Sequence, residues 1–283
     1  MDINTKNIVK GNFSWTSNFN FSRNIATVLK LQPLTTGATR INAVDGGSNR
    51  LVEGGVFGAF FLPLHAGVDT KTGNEMIYEV DQPYLSQTGI ARLTGNVLDA
   101  TLGTNLNNHR MLIPDKTPLP KFYGGLTNSF TYKSLELTVL FYFQYGNFIL
   151  DQGERSQSYP SEQQSLRATM KDALVDNTIP LVYGSPMAGT NTTRFLHDGS
   201  FIRLRNLQLG YALPVKFSKK FGIKNMRVFA AAQNLLTFTK FPGWDPEVFT
   251  TGGSNQQANI GPGNTSYNLP QVKTLLGGIN ISF

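Results

Sequence analysis

Phe122-Tyr123-Gly124-Gly125-Leu126-Thr127-Asn128-Ser129-Phe130-Thr131-Tyr132-Lys133-Ser134-Leu135-Glu136-Leu137-Thr138-Val139-Leu140-Phe141-Tyr142-Phe143-Gln144-Tyr145 is the stretch that fixes the fold class. In its first arm Phe122, Leu126, Phe130 and Tyr132 share one side against Tyr123, Thr127, Ser129, Thr131 and Lys133. After Ser134 the chain turns back, and Leu135, Leu137, Val139, Phe141, Phe143 and Tyr145 alternate with Glu136, Thr138, Leu140, Tyr142 and Gln144. Successive side chains of a strand point to opposite faces, so this period of two describes two long antiparallel strands joined by a tight turn. The same alternation marks Asn12–Ser22, where Phe13, Trp15, Phe19 and Phe21 oppose Asn, Ser and Thr, and recurs over Ser200–Leu213 and Lys273–Phe283. Met226–Phe238 is strand-like with poor phase, because Ala230-Ala231-Ala232 distinguishes no face; Leu51–Leu62 and a piece within Ile77–Leu98 are further candidate strands.

An arm such as Phe122–Lys133 exceeds the ~5–6 residues usual in a globular strand and matches the roughly 9–11 that cross a bilayer at a tilt. The links alternate in length: tight at Ser134, moderate at Pro214–Asn225, long at Asp151–Gly199 and Thr239–Pro270. This is the pattern of a membrane barrel with short turns on one side and long loops on the other. One helix is expected in those loops, over Ser161–Val175, with Ser161 and Gln164 at capping-box positions.

Composition supports the membrane reading. Of 283 residues only 15% are charged, against roughly 25% in an average soluble domain. A soluble β-sandwich, such as a carbohydrate-binding module, would carry Lys and Glu on its outer side, whereas a barrel with lipid outside and a wet or plugged lumen places neutral Asn, Ser, Thr and Gln opposite aromatics. A small passive pore closing on itself is the other alternative. Lys and Arg outnumber Asp and Glu, 25 to 18, but they are scattered, and no nucleic-acid footprint results. The absence of Cys and the wide spacing of His65, His109 and His197 leave no metal site or cofactor to expect. His197, Asp198 and Ser200 are too close in sequence to form a triad, Asp245 and Glu247 flank Pro246 in a loop, and Lys71 spoils a calcium-loop reading of Asp69–Glu75; no enzyme is expected.

Several segments, in order along nearly the whole chain, resemble one family. They are Asp2–Ile8 leading to Phe13-Ser14-Trp15-Thr16; Glu53–Gly58; Pro120–Leu126 with Tyr132-Lys133; Asp198–Asn206 with Leu209-Gly210-Tyr211; Asn234-Leu235 followed by Asp245-Pro246-Glu247; and Gly278–Phe283. The family is that of the SusC/RagA-like TonB-dependent outer-membrane transporters, in their C-terminal third. The resemblance implies an all-β fold, an antiparallel transmembrane β-barrel segment of about eight or nine strands from a larger, 22-stranded plugged barrel, with long extracellular loops. Residues 1–283 would be the C-terminal part of the barrel, with plug, energy-coupling segment and signal peptide absent. The implied function is import of glycans or oligopeptides across the outer membrane of a Gram-negative bacterium, with a SusD-like surface lipoprotein and the TonB complex as partners.

The resemblance also places residues. Ile279, Ile281 and Phe283 form the terminal pattern read by the outer-membrane assembly machinery. With the C-terminus on the periplasmic side, Tyr142 and Gln144 lie high on the lumen face and are candidates for substrate contact, as are Trp244, Tyr159 and Tyr267 in the long loops, whose rings could stack on sugars. Arg203 and Arg205 share the parity of Leu207 and Leu209, which sets them outward at the extracellular rim as partners of lipid phosphates, the alternative being a bulge that turns them inward.

Overall fold

The computed structural model describes residues 1–31, 43–45, 47–69, 71–72, 74–88, 91–100, 106–157, 191–214, 222–247, 261–266 and 268–282. The helix expected at Ser161–Val175 lies outside them, as do Tyr159, Tyr267 and Phe283. Seven strands form one antiparallel sheet: β1 (Asp2–Lys10), β2 (Phe13–Ser22), β3 (Phe122–Tyr132), β4 (Leu135–Tyr145), β5 (Phe201–Ala212), β6 (Asn225–Thr239) and β7 (Thr274–Ser282). Their order in the sheet is their order in the chain, an up-and-down meander, and β1 and β7 are its two edges.

The register converts sequence alternation into two surfaces. One row runs Ile8, Trp15, Phe130, Leu137, Leu209, Ala230, Gly277 across all seven strands, and the next row, on the opposite face, runs Lys6, Thr16, Ser129, Thr138, Gln208. Aromatics stack along the apolar side: Trp15 lies 5.6 Å from Phe130, and Phe122 lies 5.0 Å from Tyr145. Gly124 exists for this stacking, since a Cβ there would strike the Phe143 ring and the Asn20 carbonyl. Phe13, Trp15, Phe19 and Phe21 remain partly exposed, and Ile279 and Phe238 are each 59% exposed. The buried apolar clusters lie elsewhere, so a sandwich, whose core would be this side, is not the architecture.

At one end of the sheet the links are short: Gly11-Asn12, the Lys133-Ser134 turn with Lys133 in the left-handed region (φ 53°), and residues 213–224. At the other end the described parts of three long connections, 23–121, 146–200 and 240–273, form a cap. The strand expected over Leu51–Leu62 is not one strand: only its ends are extended, in Arg50–Val52 and Phe61–Pro63, with turns between, while the piece within Ile77–Leu98 is realised as Glu75–Val80 and Leu93–Asp99; all four are short and pair within the first connection. The wall therefore counts seven strands among the described residues. The cap has a water-type core of Phe60, Leu62 and Ile113 from the first connection with Leu150, Phe195 and Leu196 from the second. A three-stranded sheet of Leu196–Asp198, Phe148–Asp151 and Asn264–Thr265 adds the third. Asn49, fully buried, donates to the carbonyls of Gly58 and Pro262 and accepts from Asn264, tying the first connection to the third.

Candidate functional site

The inner, polar face of the wall meets the cap at β4, β5 and β6. Parity alone sets Arg203 and Arg205 outward. The structure overturns that placement, because β5 carries a bulge: Asn206 pairs with Leu140 while Leu204 pairs with the very next residue, Phe141, leaving Arg205 as the extra residue. On the other side Asn234, in the left-handed region at φ 52°, and Leu235 oppose Arg205 alone. One inserted residue reverses every side chain beyond it. Arg203 thereby becomes the neighbour of Tyr142 on the inner face and is 1% exposed. Neither arginine is a lipid-rim residue.

Both arginines meet the acids of Asp245-Pro246-Glu247. Arg203 pairs through Nη2 with Asp245 and through Nη1 with Glu247 Oε2 at 2.9 Å, and Arg205 pairs with the other Glu247 oxygen. Asp245 also accepts from the backbone N–H of Glu247 and of Gln271, each at 2.8 Å. Asn234 accepts from Arg205 at 3.3 Å and donates to the Val272 carbonyl at 3.2 Å. Two cations and two anions cancel, so the buried charges are compensated, as burial requires. The cluster fixes the 241–247 loop and the approach to β7 against the wall. In sequence the signal was a pair of arginines two apart and a pair of acids two apart, in segments already prominent in the family resemblance; a bulge was the lesser alternative there, and its position at Arg205 and the acids it brings in reach come from the structure.

Of the residues singled out from the sequence, Tyr142, Gln144, Arg203 and Arg205 come together in this inner corner. Gln144 pairs across strands with Phe201. Tyr142 has its ring 5.8 Å from that of Phe201 and beneath the Arg205 guanidinium at 5.1 Å. Trp244, 63% exposed, stands on the loop that the ion cluster holds, directly before Asp245 and near the buried Phe241. Ile279 and Ile281 lie on β7 opposite Val228 and Met226. Sequence reasoning did not foresee a second inner feature: Asn4, Lys6, Thr16, Asn18, Thr127 and Ser129 line a polar depression of about 280 Å³, where Asn18 donates to Asp2 and Asn4.

The polar groups of the cap are tied to one another. Buried Glu75 accepts from Thr192 at 2.6 Å, meets His65 Nδ1 at 3.0 Å and faces Arg194 at 3.9 Å. Burial pushes its carboxyl up, but the His65 hydrogen bond, the Arg194 charge and the Thr192 hydroxyl outweigh that and hold it below the ordinary carboxylate value. His109 accepts from the Val80 N–H, and His197 pairs with Glu154 rather than with Ser200, which donates to Asp198. Asp69 closes the turn between His65–Val68 and Glu75–Val80 by accepting from the Lys71 N–H. Among the described residues no group of three or more His, Cys, Asp or Glu could hold a metal ion.

A meander of long strands with an apolar, exposed outer side, a polar inner side, short turns at one end and packed loops at the other is a segment of transmembrane β-barrel wall. No family model matches the chain. Over 99% of its length it is 29% identical to TonB-dependent receptor P3 and 26% identical to TonB-dependent receptor P26, both of Formosa agariphila. Its fold matches a chain in the structure of the RagAB peptide transporter, with a TM-score of 0.72 at 22% identity, and a chain of the RagAB peptide importer in its closed-closed state, with 0.73 at 23%. The chain is homologous along its whole length to TonB-dependent receptors. It spans about 28% of the length of those curated relatives and 28–29% of the two structural neighbours.

Proposed function

We propose that this chain is the C-terminal part of the barrel of a TonB-dependent importer in the outer membrane of a Gram-negative bacterium, taking up glycans or oligopeptides. In this reading the cap faces the cell exterior and the short turns face the periplasm. The inner corner of Tyr142 and Gln144 and the exposed Trp244 on the 241–247 loop meet the solute, and a SusD-like surface lipoprotein closes over the cap. TonB supplies the energy through parts of the importer other than this wall. The peptide-transporter neighbours favour oligopeptide cargo, and exposed Trp244 favours a sugar ring.

The carrying observation is the two-sided register, apolar and exposed on one face, hydroxyl and amide on the other, with both sheet edges unpaired among the described residues. Unpaired edge groups in hydrocarbon cost several kcal/mol each, which supports a wall continued by further strands. The sequence contains no Cys, so single-cysteine scanning has no background. Spin labels at Phe19, Leu209 and Ile279 in the membrane-inserted protein should be relaxed by lipid-dissolved oxygen, and labels at Asn18 and Gln208 by a water-soluble nickel chelate. The reverse pattern, or chelate access at all five, sinks the reading. Uptake of a labelled oligopeptide set against a labelled oligosaccharide, in cells with and without the gene, separates the two cargo classes.

A further inference from the structure

The outward side of the wall holds, directly below the cap, a groove of about 530 Å³ floored by Phe122, Phe143, Tyr145, Ile202 and Phe238. Phe122 stacks on Tyr145 at 5.0 Å and meets the Phe143 ring edge-on at 6.3 Å, so the floor is built from rings that hold one another. Tyr145, Ile202 and Phe238 are about half exposed, and the groove is open to whatever surrounds the sheet. At its cap end the lining changes to Lys240, Asp198 and Ser200. Asp198 Oδ1 accepts from the N–H and hydroxyl of Ser200, whereas Oδ2 and the Lys240 ammonium have no partner among the described residues. Each part of this lining selects a chemistry. The aromatic floor offers rigid area against which a hydrocarbon chain packs. The ammonium takes a phosphate in a charge-assisted hydrogen bond. The carboxylate only accepts, so it takes hydroxyl or amide donors and repels a second anion. The occupant therefore joins acyl chains to a head that carries a phosphate with neutral hydrogen-bond donors beside it. In the reading above the cap end faces the cell exterior, and the outer leaflet there is made of an acylated, phosphorylated glucosamine glycolipid, lipid A, whose head has those groups.

We propose that this groove seats an acyl chain of lipid A, with a phosphate on Lys240 and glucosamine hydroxyl or amide donors on Asp198. The contact with lipid phosphate that parity assigns to Arg203 and Arg205 falls instead to Lys240. The proposal rests on the reading that this side of the sheet meets lipid and that the cap is outermost.

The test uses the complete importer whose C-terminal wall this chain forms in that reading, expressed in its own cells and purified in detergent from their outer membrane. Stripped of lipid, it is offered equal amounts of lipid A, enzymatically dephosphorylated lipid A and phosphatidylglycerol, and the retained lipid is read by mass spectrometry. Wild type should retain phosphorylated lipid A several-fold over either competitor. Lys240→Glu should cut that retention several-fold and erase the difference between the two glycolipids, and the milder Lys240→Gln should act in the same direction. Asp198→Asn, which keeps an acceptor for Ser200, should erase the preference for glycolipid over phosphatidylglycerol. Phe238→Ala should weaken retention of all three. Lys10→Glu, on an exposed lysine at the short-turn end of the wall, should change nothing. Equal retention of the two glycolipids by wild type, a preference for phosphatidylglycerol, no retention, groove variants that behave as wild type, or a loss in Lys10→Glu as large as in Lys240→Glu would overturn the proposal. The heat-dependent gel shift of the complete barrel shows that each variant is assembled. Wild type that never reaches the outer-membrane fraction would overturn the membrane reading itself, and that result is visible before any lipid is measured.

Discussion

The wall and the cap are built from the same chain on opposite principles. In the cap, Phe60, Leu62, Ile149 and Leu150 are essentially inaccessible, and polar groups such as Asn49 and Glu75 are buried with partners. In the wall, residues as large as Phe238 and Ile279 are more than half exposed, and cohesion comes from the strand ladders and cross-strand pairs. The difference is one of solvent. The cap excludes water by closing on itself, whereas the wall's apolar side is complete only against hydrocarbon, so a perturbation of one region should leave the other largely intact unless it strikes their junction.

That junction is the arginine–carboxylate cluster, and breaking it should have the largest effect. Asp245→Ala removes one partner of buried Arg203 and should cost about 3–5 kcal/mol, read by urea unfolding of the micelle-folded protein as a joint loss of wall and cap signals. A loss confined to the cap would show that the cluster does not couple the two. Leu62→Ala, a truncation in the cap core, should cost roughly 2–5 kcal/mol, with hydrogen exchange accelerating in 60–64 and 148–150 while β3 and β4 stay protected. Leu209→Arg, on the outward side, should cost about 2–4 kcal/mol in a bilayer if it sits near the midplane, against little change for Gln208→Arg one residue away. Equal penalties in vesicle refolding would erase the distinction between the faces.

The smallest effect is a pH effect on the cap alone. The carboxyl of Glu75 is held below its ordinary value of 4.5, so the folded form binds its proton less readily than the unfolded form. The stabilisation is fully present above about that value and is lost as pH falls through the lowered one. Acidification below pH 4.5 should therefore speed exchange around 65–77 and 191–196 in wild type. Glu75→Gln, which costs roughly 1–3 kcal/mol at neutral pH, should flatten that dependence.

What the sequence made legible was whatever depends on period two. Strands β2 to β5 and β7 follow from the alternation of Phe, Leu and Tyr with Asn, Ser and Thr, and so do the identity of the apolar and polar sides and the asymmetry of short and long links. The face of each residue was fixed by counting along an uninterrupted strand, and Leu209 and Gln208 stand where counting sets them.

Counting failed where a residue was inserted. Only the pairing of β5 with both neighbours revealed the bulge at Arg205, and with it the inward turn of Arg203 toward acids some forty residues away. Nor could periodicity tell that the described strands between 23 and 121 belong to the cap, since strands of three to seven residues give too few alternations to read and pair with one another rather than with the wall. Local pattern determines a face because side-chain direction is a property of the backbone. Which loops close on one another, and where a ladder slips, depends on contacts between distant segments, and those exist only once the chain is folded.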